Sequence, residues 1–356
     1  MMDHALALAH GAIGLSEPNP RVGCVIVDVQ RRVLGQGHTQ QAGGPHAEVM
    51  ALRDAANRGA DVRGATAYLT LEPCSHHGRT PPCCDALISA GLARVVAAIE
   101  DPNELVAGQG LARLQAAGIQ VDVGPGNQAS RELNIGFFSR MQRQRPWVRL
   151  KAAVSLDGRS ALENGVSQWI TGPAARADGH AWRRRAGAIL TGVGTVLDDN
   201  PRLDVRLVDT AKQPLRVIVD SQLRTPPSAR ILDAPGEVLL FSAGADAARA
   251  ETLRARGAEV IDATGADGKV DLHALITHLS QRGINELHVE AGRTLSGAFV
   301  QQRLVDEYLV YMAPKLLGRG QDLAAFGPLN VLDDAVTLQF HSVERIGDDL
   351  RLLARP

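Results

Sequence analysis

Four side chains scattered between positions 46 and 83 constrain this chain more than any stretch of its hydrophobic pattern. They are His46 and Glu48, in Pro45-His46-Ala47-Glu48, and Cys74 and Cys83, which follow Pro73 and Pro82 across an eight-residue spacer. An imidazole and two thiolates suit a zinc ion, and three protein ligands leave a fourth position open. To meet at one ion, these residues must sit at the ends of elements packed side by side. On a continuous helix His46 and Glu48 would point about 200° apart. The sequence therefore puts His46 at a helix start and Glu48 in its first turn. Pro81-Pro82-Cys83 opens a second helix, because proline fits the first helical positions and a helix N-terminus favours a thiolate. Glu48, beside the metal without binding it, is suited to carry protons. Two alternatives stay open on the residues alone: Cys84 in place of Cys83, or His76 or His77 as a fourth ligand closing a structural site. Cys24, inside a strand, reads as an apolar core residue.

At 356 residues the chain predicts two domains rather than one. Its apolar runs are strand-sized, far short of a membrane span. The opening residues carry Asp3 and Glu17 and no basic cluster before an apolar stretch, which predicts no secretory signal and a cytoplasmic location. In that setting, clustered cysteines point to metal binding rather than disulfides. A net charge of −1 and 3% aromatic residues give neither the field nor the stacking surface that nucleic acid requires. A small-molecule substrate is expected, with arginines able to bind a phosphate locally.

Strand-like and helix-like segments alternate along residues 1–144, which predicts a mostly parallel sheet covered by helices. The run 22–27 reads as a strand, 47–58 as a helix, 65–71 as a strand, 84–90 as a helix, 94–99 as a strand, 110–117 as a helix and 119–123 as a strand. A basic stretch, 140–146, reads as a linker. A second alternation fills residues 145–356 and closes on two antiparallel strands around the turn at 347–349.

Several motifs in the first half are similar to those of the bifunctional riboflavin-biosynthesis RibD family. They are Pro18-Asn19-Pro20-Arg21-Val22-Gly23, Pro45-His46-Ala47-Glu48, the segment from Glu72 to Cys83, and Asp101-Pro102-Asn103. The resemblance implies a cytidine-deaminase-like α/β/α domain with one zinc per chain. It also implies deamination of a diaminopyrimidinone that carries a ribosylamino 5′-phosphate. Asn19, His38, Asp101 and Asn103 would then hold the pyrimidine and ribose, while His76 and Arg79, with His77, would touch the phosphate or base. Two rivals remain: a deaminase of free nucleotides or of tRNA adenosine with an unrelated C-terminal domain, or a zinc-stabilised binding protein without turnover. The long spacer and balanced charge oppose the first, and Glu48 opposes the second.

Residues 147–356 carry no metal-ligand spacing. They carry glycine-rich turns after strands, at 191–195 and 290–294, which can offer backbone N–H groups to a pyrophosphate. Neither turn matches Gly-x-Gly-x-x-Gly. Asp220-Ser221-Gln222-Leu223-Arg224 sets a hydroxyl and a guanidinium at a strand end, which suits a 2′-phosphate and so NADPH over NADH. Lys151-Ala152-Ala153-Val154, Ser167-Gln168-Trp169, Asp198-Asp199-Asn200-Pro201-Arg202-Leu203 and Val289-Glu290-Ala291-Gly292 resemble the family's reductase half. That resemblance implies a dihydrofolate-reductase-like α/β domain that moves a hydride from NADPH to C1 of the ribosyl group. It places Ala153, Trp169, Thr195, Asp199, Ser221 and the run Gly292, Arg293, Thr294, Leu295, Ser296, Gly297 and Ala298 at the cofactor, with Arg224 added from its chemistry. It places Lys151, Ser167, Arg183, Leu203, Arg206 and Glu290 at the substrate, with Arg183 and Arg206 suited to its phosphate and Lys151, Asp199 or Glu290 as proton donor. A homo-oligomer is expected.

Overall fold

The computed structural model describes residues 1–75, 81–104, 106–244 and 246–356, and the expectations for His76, His77 and Arg79 lie outside them. The chain divides into two units, Met1–Gln144 and Arg145–Pro356. In the first unit, elements follow in the order α1 (Met2–Ala9), β1 (Gly23–Val27), β2 (Val33–His38), α2 (Ala47–Asn57), β3 (Thr66–Leu69), α3 (Cys83–Ser89) and β4 (Arg94–Ala97). Then come α4 (Gln109–Ala116), β5 (Gln120–Val123), α5 (Asn127–Leu133) and α6 (Ile135–Arg143).

The five strands lie in the order β2-β1-β3-β4-β5. The expectation of a mostly parallel sheet is corrected here. β3–β4 and β4–β5 are parallel, but β1 pairs antiparallel with both β2 and β3. β2 escaped the sequence reading because Val33–His38 holds two glycines and little apolar patterning. Those glycines have a packing reason. A Cβ on Gly35 would lie 2.2 Å from the Ala51 carbonyl oxygen, and one on Gly37 would lie 2.5 Å from Met50 Cβ. Their absence lets α2, the helix that carries Glu48, lie directly on the sheet. The basic stretch read as a linker is also corrected, since α6 runs through Arg143 and is amphipathic, burying Phe137 and Phe138.

The second unit contains β6 (Trp147–Ser155), β7 (Arg159–Leu162), α7 (Pro173–Arg185), β8 (Ala188–Gly192), α8 (Val193–Asp199), β9 (Leu215–Val219), α9 (Arg230–Asp233) and β10 (Val238–Ser242). It continues with α10 (Ala247–Ala255), β11 (Glu259–Asp262), α11 (Leu272–Gln281), β12 (Glu286–Val289), α12 (Arg293–Gln301), β13 (Glu307–Ala313), β14 (Gly320–Asp322), β15 (Gln339–Ile346) and β16 (Asp349–Arg355). Nine strands form one sheet in the order β11-β10-β9-β8-β12-β6-β13-β16-β15, and β7 pairs with β14 apart from it.

All ladders from β11 to β13 are parallel, and β16 and β15 add an antiparallel edge. β6 and β8 flank β12, so the chain runs outward from β8 to β11 and then returns to the centre. That return is a switch point, and in open parallel sheets such a crevice beyond the strand C-termini is where ligands bind. The core beneath it is apolar: Val148, Leu150, Leu190, Val217, Leu287 and Phe299 are almost wholly buried.

Candidate functional site

In the first unit, His46 stands immediately before α2 in extended conformation, and Glu48 occupies the first helical turn. Pro82 precedes α3, which opens on Cys83. The donor atoms converge: His46 Nδ1 lies 3.7 Å from Cys74 Sγ and 3.4 Å from Cys83 Sγ. A tetrahedral ion with Zn–S near 2.3 Å and Zn–N near 2.0 Å sets an N···S edge of about 3.6 Å. The trio fits that geometry.

Its protonation points the same way. The Cys83 thiol donates to Cys74 and holds Cys74 well below the usual thiol range, while the Cys83 thiol itself is pushed up. Two touching sulfurs share a proton until a cation lets both ionise. Glu48 is almost wholly buried within reach of the Cys83 thiol, and burial, then the charge on Cys74, push its carboxyl up.

The alternative cysteine does not join the cluster. Cys84 points into the core, where its thiol donates to the carbonyls of Pro73 (3.3 Å) and Gly110 (3.5 Å), and burial raises it to about 12. Cys24 is fully buried on β1.

Asp101 and Asn103 are held together, with the Asn103 amide donating to Asp101 Oδ1 at 2.8 Å. Burial pushes the Asp101 carboxyl up to about 7 against that hydrogen bond, with Glu72 and Cys74 adding negative charge nearby. The organiser of this wall is Glu72, which sequence reasoning quoted in a motif but gave no role. Its buried carboxylate accepts from the backbone amides of Asp101, Gly108, Gly110 and Leu111 at 2.9 to 3.3 Å. It thereby caps α4 and ties that helix to the Pro73-Cys74 turn. A Cβ on Gly110 would come 2.1 Å from the Pro73 carbonyl, so glycine is needed for this approach. Asn19 and His38 stand apart: among the described residues neither hydrogen-bonds a member of the metal trio. His38 Nδ1 contacts the Thr39 carbonyl, and its ring packs over Gly11.

In the second unit the two glycine-rich turns sit side by side after the neighbouring strands β8 and β12. The Gly292 amide donates to Thr195 Oγ1 at 3.1 Å, and Leu295 packs over Gly192. Of residues 292–298, Gly292, Arg293 and Thr294 are exposed at the start of α12, whereas Ser296 and Gly297 are buried. Gly297 is seated against the Ala325 backbone, and Leu295 and Ala298 are half-buried. Ser221 follows β9 and accepts from the Val270 amide. Ala153 lies half-buried on β6. Asp199 accepts from Gln168 at 3.3 Å, and its carboxyl is raised by burial and by neighbouring Asp198. Trp169 is 60% exposed, which removes it from the core, and the Arg176 guanidinium stacks 4.7 Å above its ring.

Of the expected substrate residues, Arg183 and Lys151 gather around Glu290. Arg183 grips Glu290 with two hydrogen bonds, at 2.5 and 2.9 Å, and donates a third to the Asp204 carbonyl. Lys151 lies 3.6 Å and His288 3.3 Å from the same carboxylate. Burial would raise Glu290, yet Arg183 and then Lys151 hold it well below the usual carboxylate range.

Arg183 and Arg206, the two arginines expected at the substrate phosphate, each carry an ion pair. Arg183 neutralises Glu290, because a buried carboxylate requires a counter-charge, and Arg206 pairs with Asp204 at 2.8 Å. Leu203, buried beside them, takes a left-handed conformation with φ 53°. Ser167 is half-buried in the segment before Trp169.

The family model of the cytidine and deoxycytidylate deaminase zinc-binding region matches residues 1–99, and that of the RibD C-terminal domain matches residues 146–352. The riboflavin biosynthesis protein RibD of Escherichia coli is 46% identical over 99% of this chain and 97% of its own length. That of Bacillus amyloliquefaciens is 41% identical over 100% and 95%. Among solved structures, Acinetobacter baumannii RibD is 40% identical with a TM-score of 0.89. A diaminohydroxyphosphoribosylaminopyrimidine deaminase/5-amino-6-(5-phosphoribosylamino)uracil reductase from Thermotoga maritima is 33% identical with a TM-score of 0.88. Each of the two covers 100% of this chain and 97% of the relative. With both family models in sequence and relatives matched from end to end, the chain belongs to the RibD family of bifunctional riboflavin-biosynthesis deaminase–reductases.

Proposed function

We propose that residues 1–144 deaminate 2,5-diamino-6-ribosylamino-4(3H)-pyrimidinone 5′-phosphate, and that residues 145–356 reduce its ribosyl group to ribityl with NADPH. The observation that carries the first half is the spacing of His46, Cys74 and Cys83 beside a buried Glu48. Zinc held by these three would supply Lewis-acid activation of a water at neutral pH. Glu48 moves the proton: its carboxylate takes one from the attacking water and returns it to the departing nitrogen. Water and the amino-pyrimidine thus yield ammonia and the carbonyl product. Asp101 and Asn103, fixed by Glu72, orient the ring and ribose, and Asn19, His38, His76 and Arg79 complete the substrate contacts.

In the second unit NADPH, when bound, would supply the hydride. Thr195, Gly292, Arg293 and Thr294 would hold its pyrophosphate, with Ala153, Trp169, Asp199, Leu295 and Ala298 beside it and Ser221 and Arg224 toward its adenosine end. Glu290, kept anionic by Arg183 and Lys151, accepts from substrate hydroxyls instead of donating a proton. Ser167, Leu203 and Arg206 line the substrate beside it. The protein acts on small phosphorylated pyrimidines as a homo-oligomer in the cytoplasm. Among the described residues no helix is long and apolar enough to cross a membrane.

Product identification tests this reading. With the diaminopyrimidinone ribosylamino phosphate alone, the deaminated ribosylamino product and ammonia are expected, and added NADPH should carry it to the ribitylamino product. Release of ammonia from deoxycytidylate or tRNA instead would replace the substrate assignment.

A further inference from the structure

The segment between β7 and α7 carries Ser167 and Trp169, two residues expected at the reductase site, yet no helix or strand holds it. Among the described residues, 167–171 form no backbone-to-backbone hydrogen bond. Backbone carbonyls need partners, and here side chains supply them. The Lys315 ammonium donates to the carbonyls of Trp169 at 3.1 Å and Ile170 at 2.6 Å. Arg176 Nη1 donates to the Thr171 carbonyl at 2.8 Å, and its guanidinium stacks on the Trp169 ring. Two cations thus hold three successive carbonyls, through the stronger, charged kind of hydrogen bond. Arg176 is local, on the helix into which the segment leads. Lys315 lies 145 residues from Ile170 in sequence, and it ties the segment to the sheet.

Lys315 is itself rooted. β6 and β13 are parallel neighbours, with Ser155 opposite Ala313, and the chain leaving each strand bonds the other. The Leu156 amide donates to the Lys315 carbonyl at 2.8 Å. Asp157, which also accepts from the Ser155 hydroxyl, accepts from the amides of Leu317 and Gly318 at 2.7 to 3.2 Å. β6 bears Lys151 and Ala153, expected at substrate and cofactor. One platform at the strand C-termini therefore carries those two residues and, through the Lys315 side chain, Ser167 and Trp169.

We propose that Lys315 is a positioning residue of the reductase site. By binding the carbonyls of Trp169 and Ile170, it keeps segment 167–171 in the arrangement that presents Ser167 and Trp169 to substrate and cofactor. The inference rests on the reading of those two residues given above. Without the ammonium the segment samples other arrangements, and each ligand must select the competent one. Apparent affinity then falls by the competent fraction, while saturating ligand restores the segment and with it the turnover.

Full-length, zinc-loaded protein should be assayed for reduction of the deaminated ribosylamino phosphate by NADPH. Lys315→Met is expected to raise both KM values about tenfold, the worth of one charged hydrogen bond, and to keep kcat within about threefold. Lys315→Arg, which keeps charged donors, should recover most of the loss. Should Lys315→Met melt early, Lys315→Gln, shorter and uncharged, gives the same comparison. Fluorine resonances of protein labelled with 5-fluorotryptophan give a second readout without ligands, with Trp169 assigned through Trp169→Phe. In Lys315→Met the Trp169 signal should move toward its unfolded position, while those of Trp147 and Trp182 stay. Unchanged KM values, a fall in kcat with KM kept, or a Trp169 signal that does not move would overturn the proposal. If Ser167→Ala and Trp169→Ala both keep wild-type KM values, the reading beneath it fails, whatever Lys315 does.

Discussion

Glu48 concentrates the chemistry of the first unit in one carboxylate. It is buried beside two sulfurs and the His46 imidazole, with burial outweighing the imidazole's charge, an environment that a purely structural metal site does not require. Glu48→Gln should therefore retain zinc by metal analysis and lose roughly 10²- to 10⁴-fold in deamination rate; full activity in that variant would end its acid–base role. In the second unit the residue to watch is His180. Burial, then the charges of Arg183 and Arg206, lower it to about 4, while its Nδ1 accepts from the Arg206 amide. A base depressed in the folded state adds stability above its unfolded pKa of about 6.5, lost as pH falls through 4. Thermal melts of the wild type should drop between pH 6.5 and 5, above the range where Glu290 and Glu307 protonate. His180→Asn, which keeps an acceptor, should make that drop shallower, the remainder coming from His288 and His278, which burial also lowers, and an unchanged slope would remove His180 as a source. The metal trio was legible in sequence because zinc chemistry restricts residue types. Glu72 was not, since a carboxylate that binds only backbone amides leaves no partner signature, and the Arg183–Glu290 pair joins residues 107 apart.

At the scale of elements, helix starts do most of the positioning. The starts of α2 and α3 bring His46 and Cys83 together, and α4 is fastened to the Cys74 turn through Glu72. Glu72→Leu would leave four backbone amides, at Asp101, Gly108, Gly110 and Leu111, without their acceptor. It should destabilise the first unit by about 2–5 kcal/mol in denaturant unfolding and weaken zinc retention; a loss under about 0.5 kcal/mol would mean the loop holds itself. Strands with buried apolar runs, such as β1, β9 and β10, and helices bounded by glycine were readable from their patterns. The elements missed include polar or glycine-bearing strands, namely β2, whose composition answers to α2 rather than to strand propensity, and the short pair β7 and β14, and also the helices α1, α5 and α6. The antiparallel setting of β1 was hidden for another reason, because a buried strand carries the same residues in either direction.

For the whole molecule, the division at Gln144 and Arg145 and two separate cores give each unit its own hydrophobic foundation. Cys74→Ser should therefore abolish zinc binding and deamination while NADPH oxidation on the deaminated substrate continues; loss of both activities would show that the units do not function independently. The two-domain plan was legible from length and from two successive alternations. The switch point at β6, β12 and β8 was not, because strand order depends on contacts far apart in sequence. The measurement closest to the central claim is zinc-edge X-ray absorption on the purified protein. The account predicts one zinc per chain with two sulfurs near 2.3 Å, one imidazole nitrogen near 2.0 Å and one further light atom that is not an imidazole. A third sulfur, a second imidazole, or active protein without zinc would contradict it.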